Sequence, residues 1–242
     1  FMYCNSDEGD AIGLQQNNQY IWIHNCDFFY GAPGSDADQI KGDGTIDCKS
    51  GSTYVTISYN HFWDTGKTHL LGMSESSTTG LYATYHHNWY DHCDSRHPRV
   101  RYYSAHVYNN YYDGISKYCI GATMASSIFV EANYFRNCKY PMLISMQGSD
   151  VYNPTTQTND YVNMPTFSKE DGGMIKAYNN YMTGQYRFVA YGDPSFPNST
   201  VDFDAVVVSS KNDIIPTSIK TYKGENVYNN FDTNGEIFYN YQ

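Results

Sequence analysis

The stretch Tyr85-His86-His87-Asn88-Trp89-Tyr90 returns 22 residues later as Val107-Tyr108-Asn109-Asn110-Tyr111-Tyr112. What survives is an asparagine framed by aromatic residues. The same phrase stands at Ile23-His24-Asn25-Cys26-Asp27-Phe28, Ser58-Tyr59-Asn60-His61-Phe62, Glu131-Ala132-Asn133-Tyr134-Phe135, Ala177-Tyr178-Asn179-Asn180-Tyr181 and Val227-Tyr228-Asn229-Asn230-Phe231. From Asn25 onward the intervals are 35, 28, 22, 23, 47 and 50 residues, so the longer ones contain insertions or skip a rung. A repeat near 22 residues, β-rich and without a helical half, fits a parallel β-helix better than a leucine-rich or helical solenoid. Stacked at equivalent corners of successive coils, Asn side chains can hydrogen-bond along the stack and tolerate the left-handed backbone of a sharp bend. Cys4, Cys26 and Cys48 also recur at 22-residue steps, which predicts an interior stack of small apolar thiols. A β-sandwich whose strands share Asn-aromatic turns is the alternative, and the irregular long intervals count against it.

Composition agrees with an all-β chain. Tyr supplies 26 of the 242 residues and aromatics 17%, while Leu is scarce and β-branched residues, Asn and Gly are plentiful. At this length one domain spanning 1–242 is expected, with residues 147–173 as a polar loop insertion at the rim of the solenoid. Solenoid ends need caps, and nothing polar precedes Phe1, so further N-terminal coils or a neighbouring chain are expected over that end; otherwise the chain is expected to be a monomer. No apolar run nears the roughly 20 residues a membrane helix needs, so no membrane partner is expected. The six cysteines show no CxxC spacing, which argues against zinc. A net charge of −10 argues against a nucleic-acid partner, because phosphate backbones want a spread basic face.

Against that acidic background, Asp94-Ser95-Arg96-His97-Pro98-Arg99-Val100-Arg101 packs three arginines into six residues. By itself this is a solvated run, an internal salt-bridge set with Asp91 and Asp94, or an anion site. The segment Lys41-Gly42-Asp43-Gly44-Thr45-Ile46-Asp47 places two carboxylates four apart across a glycine-containing turn, hard oxygen donors of the kind calcium takes. Gly9-Asp10-Ala11-Ile12, one coil earlier, offers a third carboxylate. The competing reading is turn chemistry and solvent. Gly66-Lys67-Thr68 is no phosphate-binding loop, since His61 stands where the first glycine of that motif belongs.

The ordered set GDAI, YIWIHNCDF, KGDGTIDCKSGSTYVTISYNHFWDTGKTHLLG and YHHNWYDHCDSRHPRVRYYSAHVYNNYYDG, from about residue 9 to 114, resembles the polysaccharide lyase family 1 pectate lyases. The resemblance implies a right-handed parallel β-helix enzyme that cleaves α-1,4-linked polygalacturonate by calcium-dependent β-elimination, leaving 4,5-unsaturated ends. Residue by residue, it implies Asp10, Asp43 and Asp47 as calcium ligands, Lys67 and Arg101 as substrate-carboxylate binders, and Arg96 as the catalytic base. Arg99 and His97 receive no chemistry, with Arg99 taken as structural. Trp22-Ile23-His24-Asn25 departs from the family's W-I-D-H, so any part that aspartate plays near the metal is lost or moved. A polymeric cell-wall substrate implies a secreted protein.

Free guanidinium has a pKa above about 12, so an arginine base implies an alkaline activity optimum. Two other readings stand beside this one. A pectin lyase would act on methylated chains without calcium, and the three carboxylates count against it. A non-catalytic carbohydrate-binding β-helix is the reading from another class, since a fold does not guarantee chemistry.

Overall fold

The computed structural model describes residues 9–29, 44–73, 80–145 and 172–188, together with short strand pieces at 152–153, 158–159, 201–203, 207–208, 221–222 and 225–226. The chain winds in coils of three strands. The first coil is β1 (Ile12–Leu14), β2 (Gln19–His24) and β3 (Asp27–Phe29). The second is β4 (Gly44–Cys48), β5 (Thr53–Ser58) and β6 (His61–Trp63), and the third β7 (Lys67–Leu71), β8 (Leu81–His86) and β9 (Trp89–Asp91). Then follow β10 (Arg99–Arg101), β11 (Tyr103–Tyr108) and β12 (Tyr111–Asp113), and after them β13 (Tyr118–Thr123), β14 (Ser127–Glu131) and β15 (Tyr134–Arg136). The sixth coil opens with β16 (Tyr140–Ile144), carries a small antiparallel hairpin of β17 (Tyr152–Asn153) and β18 (Thr158–Asn159), and closes with β19 (Met174–Tyr178) and β20 (Asn180–Thr183). β21 (Val201–Phe203) and β22 (Val207–Val208) extend the stack, and β23 (Thr221–Tyr222) pairs with β24 (Glu225–Asn226).

Each strand pairs in parallel with its counterpart one coil away, which gives three sheets: β1-β4-β7-β10-β13-β16, β2-β5-β8-β11-β14-β19-β21 and β3-β6-β9-β12-β15-β20-β22. No helix occurs among the described residues. The fold is the parallel β-helix that the repeat predicts.

Alternation decides which side chains enter the coil. Phe28, Phe62, Tyr90, Tyr112 and Phe135 stack face to face along the inside of the third sheet at 4.6–5.2 Å. Ile23, Ile57, Tyr85, Val107 and Val130 hold equivalent inward positions on the second sheet. Each rung therefore buries apolar surface against the rungs above and below it, which is how a solenoid acquires a continuous core.

The asparagine stack is real but sits one residue off the bend. Asn60, Asn88, Asn110 and Asn133 each donate from Nδ2 to Oδ1 of the next member, Asn180 being the last, at 3.0–3.1 Å. Each Oδ1 also accepts the backbone N–H of the previous rung. Left-handed φ falls on the residue before each rung: Tyr59, His87, Asn109, Ala132 and Asn179. The 47-residue interval is a single coil carrying an insertion, because Asn133 bonds Asn180 directly.

Two expectations need correction. Asn25 is exposed and off the stack; Cys26 holds the first rung, its N–H donating to Asn60 Oδ1 and its thiol to the His24 carbonyl. Cys26 and Cys48 do not stack with one another either. Cys48 ends β4 in register with Leu14 and Leu71, whereas Cys26 is at the corner between the second and third sheets. The long first coil breaks the coincidence of spacing and position. Cys4, most of the 147–173 insertion and Asn230 lie outside the described residues, and the five described cysteines are free thiols.

Candidate active site

The outer face of the first sheet gathers charge. Ile46 and Cys48 point into the core, so Asp47 between them and Lys49 beyond them take the other side. On β10, Val100 is buried in the core and sends Arg99 and Arg101 outward by the same rule. The register then puts Asp47, Leu70, Arg99 and Gly121 in one row across β4, β7, β10 and β13. With strands about 4.8 Å apart, the backbones at Asp47 and Arg99 are about 10 Å apart.

A second row runs along the strand entries. Gly44 pairs with Lys67, and Lys67 bridges to Ser95, the residue before Arg96. Asp10 joins this row because its Oδ1 accepts the Gly44 N–H at 3.0 Å. The register thus sets the acidic residues of the first two coils alongside the strands of the next two that carry Lys67, Arg99 and Arg101, with Arg96 just before β10. Arg96 is half-buried with φ of 66°, a left-handed conformation that costs a non-glycine residue energy and is concentrated at corners and functional sites.

At the acidic end, Asp10 and Asp47 are 8% and 1% exposed. Asp47 Oδ1 accepts the Leu70 N–H at 3.2 Å. Lys49 Nζ lies 2.7 Å from Asp10 Oδ2 and 3.5 Å from Asp47 Oδ2. Gly44 has to be bare here, since a Cβ would run into the Asp47 carboxylate. The donor set suits a hard cation: two buried carboxylates from neighbouring coils converge closely enough for one ammonium to engage both. Asp43 lies outside the described residues, and among those described no group of three acidic, His or Cys side chains forms a metal cluster. Burial, and then the Asp47 charge, push the Cys48 thiol far up and keep it neutral.

At the basic end, Lys67, Arg99 and Arg101 are each 8–9% exposed. Arg101 donates from Nη1 to the Gly72 carbonyl at 3.0 Å. Gly72 itself has φ of 81°, and a Cβ there would stand 2.6 Å from the Arg101 carbonyl oxygen, so only glycine lets the two chains approach. Beneath this face lie His69 and His97, both fully buried. Burial, and the proximity of His97, hold His69 well below the ordinary imidazole range, and burial pushes His97 down to about 3. Near neutral pH neither ring therefore adds positive charge to this end.

Two neighbours of the site were hidden in plain alternation. Arg99, read as structural, shares the outer face with Arg101, as the pattern Arg99-Val100-Arg101 requires. Lys49 follows Asp47 by two residues and shares its face for the same reason. His24, which stands where the family has Asp, ends β2 on the second sheet and stacks on Trp22 at 3.9 Å, so the acidic end forms without it. Tyr103 is a core residue, 1% exposed.

A model of the pectate lyase family matches residues 2–178. The chain is 33% identical over 167 residues to a pectate trisaccharide-lyase of Bacillus licheniformis, covering 67% of this chain and 48% of that protein. Among solved structures, pectate lyase II of Xanthomonas campestris superposes with a TM-score of 0.60 at 26% identity, over 95% of this chain and 62% of that one. The pectate lyase of Bacillus sp. N165, solved with trigalacturonate, gives 0.56 at 26% identity over 94% and 61%. The chain spans about half the length of the curated relatives it matches. On the family match and the shared β-helix, the chain belongs to the pectate lyase family.

Proposed function

We propose that this chain carries the lyase site of an exported enzyme that cleaves polygalacturonate by β-elimination. The observation that carries the reading is the register of the first sheet, which sets buried Asp10 and Asp47 of two coils alongside the strands that carry buried Lys67, Arg99 and Arg101 in the next two. A polyuronate presents a carboxylate on every sugar, so a row of cations beside a cation-binding pair of carboxylates matches its charge pattern. The trigalacturonate bound to the Bacillus sp. N165 relative supports the same substrate class.

In this reading Lys67 and Arg101 hold uronate carboxylates, the arginine through its two-pronged donor geometry. Arg96 takes the proton from C5. The electron pair left behind forms the C4–C5 double bond as the C4–O4 bond breaks, and the departing O4 takes a proton from water. Asp10, Asp43 and Asp47 would hold a calcium ion, which when bound draws charge from the uronate carboxylate and makes the C5 proton easier to remove. Charge carried by fixed donors needs no rearrangement at the moment of reaction.

The test is absorbance of the unsaturated uronate on polygalacturonate at alkaline pH, first with calcium and then with excess chelator. A rise that chelator abolishes is the expected result. No rise with folded protein and calcium present would leave a binding β-helix as the better account, and a rise that survives chelation would favour a calcium-free lyase.

A further inference from the structure

Lys49 is the feature that the reaction above does not use. It is 7% exposed, and its ammonium sits between Asp10 and Asp47. Burying a lysine is unfavourable unless its charge is matched, and leaving two carboxylates buried side by side is worse. The ammonium engages both carboxylates at once. A divalent cation held by the same two carboxylates would meet a like charge a few ångströms away.

We infer that Lys49 is a built-in counter-cation that holds the acidic end together without metal and exchanges with the incoming calcium ion. This rests on the calcium reading of Asp10, Asp43 and Asp47 and adds a second state to it. The ammonium competes for Asp10 Oδ2, the oxygen it engages at 2.7 Å, while the Gly44 N–H keeps hold of Oδ1. Entry of calcium frees the lysine side chain, and removal of calcium returns it. The lysine thereby trades calcium affinity for a fold that survives without calcium.

The experiment uses Lys49→Met, which keeps the length of the side chain and removes its charge, and Lys49→Arg, which keeps the charge. Calcium titration calorimetry on the whole chain without substrate, and melting in chelator, are the two readouts. Lys49→Met should bind calcium about tenfold tighter than the parent and melt about 5 °C or more lower in chelator. Lys49→Arg should stay close to the parent in both. A Lys49→Met chain that folds only with calcium present is the extreme form of the expected result. If the parent binds calcium and Lys49→Met binds it no tighter, the exchange is overturned and the calcium reading stands. A parent that takes up no calcium defeats the calcium reading, and the exchange with it.

Discussion

Two polar systems run through this solenoid, and they differ in how their demands are met. The asparagine stack is neutral and nearly inaccessible; every member from Asn60 to Asn133 gives its amide to the next rung and accepts from the one before. The strands of the first sheet and their ends instead carry Asp10, Asp47, Lys49, Lys67, Arg99 and Arg101, all nearly buried and all ionisable. A neutral group that finds its partners in the next coil stabilises a repeat. Charges collected on one face in a molecule with net charge −10 are an expensive arrangement for stability alone, and they make sense as a device for holding a charged ligand.

Breaking the comparison at its charged end should give the largest effect. Arg96→Ala is expected to lower the rate of unsaturated product by about a thousandfold while the melting temperature stays within a few degrees of the parent. A loss of folding in that variant would make Arg96 part of the scaffold instead. Breaking the neutral end should do the reverse. Asn88→Ala removes its amide bonds to Asn110 and to the Ile57 carbonyl and leaves the Asn60 N–H without its acceptor. That should cost about 2–4 kcal/mol in denaturant unfolding, with turnover per folded molecule close to normal.

The buried histidines sharpen the contrast through pH. Unfolded, their imidazoles take up protons near pH 6.5; folded, burial holds His97 at about 3 and His69 well below the normal range. The unfolded chain therefore binds more protons in between, and stability present above pH 6.5 is lost as the pH falls towards 3. The slope should approach roughly 1 kcal/mol per pH unit for each histidine, read from unfolding curves at pH 7, 6, 5 and 4. A flat profile over that range would mean that the two rings are already charged in the folded protein. The smallest expected effect is that of Arg99→Ala, whose place in the row predicts a roughly tenfold rise in KM at nearly unchanged kcat.

The sequence made the scaffold legible because its signal repeats. Seven Asn-aromatic phrases give a coil length, and strict alternation within β4 and β10 gives the direction of each side chain. Exceptions arose where spacing and position part company: Asn25 takes the left-handed bend that Tyr59 and His87 take in later coils and leaves the rung to Cys26, and the long first coil separates Cys26 from Cys48. The charged residues of the first sheet stood out in their motifs, and their contacts did not. That Gly44 ties Asp10 to the Lys67 row, and that one ammonium reaches both Asp10 and Asp47, depends on register between coils, which no single strand encodes.

The most direct test of the account is the mass of the fragments released from trigalacturonate with calcium at alkaline pH. Elimination predicts products whose masses sum to that of the substrate, one of them carrying the new double bond. Fragments that together contain one added water would mean hydrolysis, and would contradict the roles given to Arg96 and the charged face.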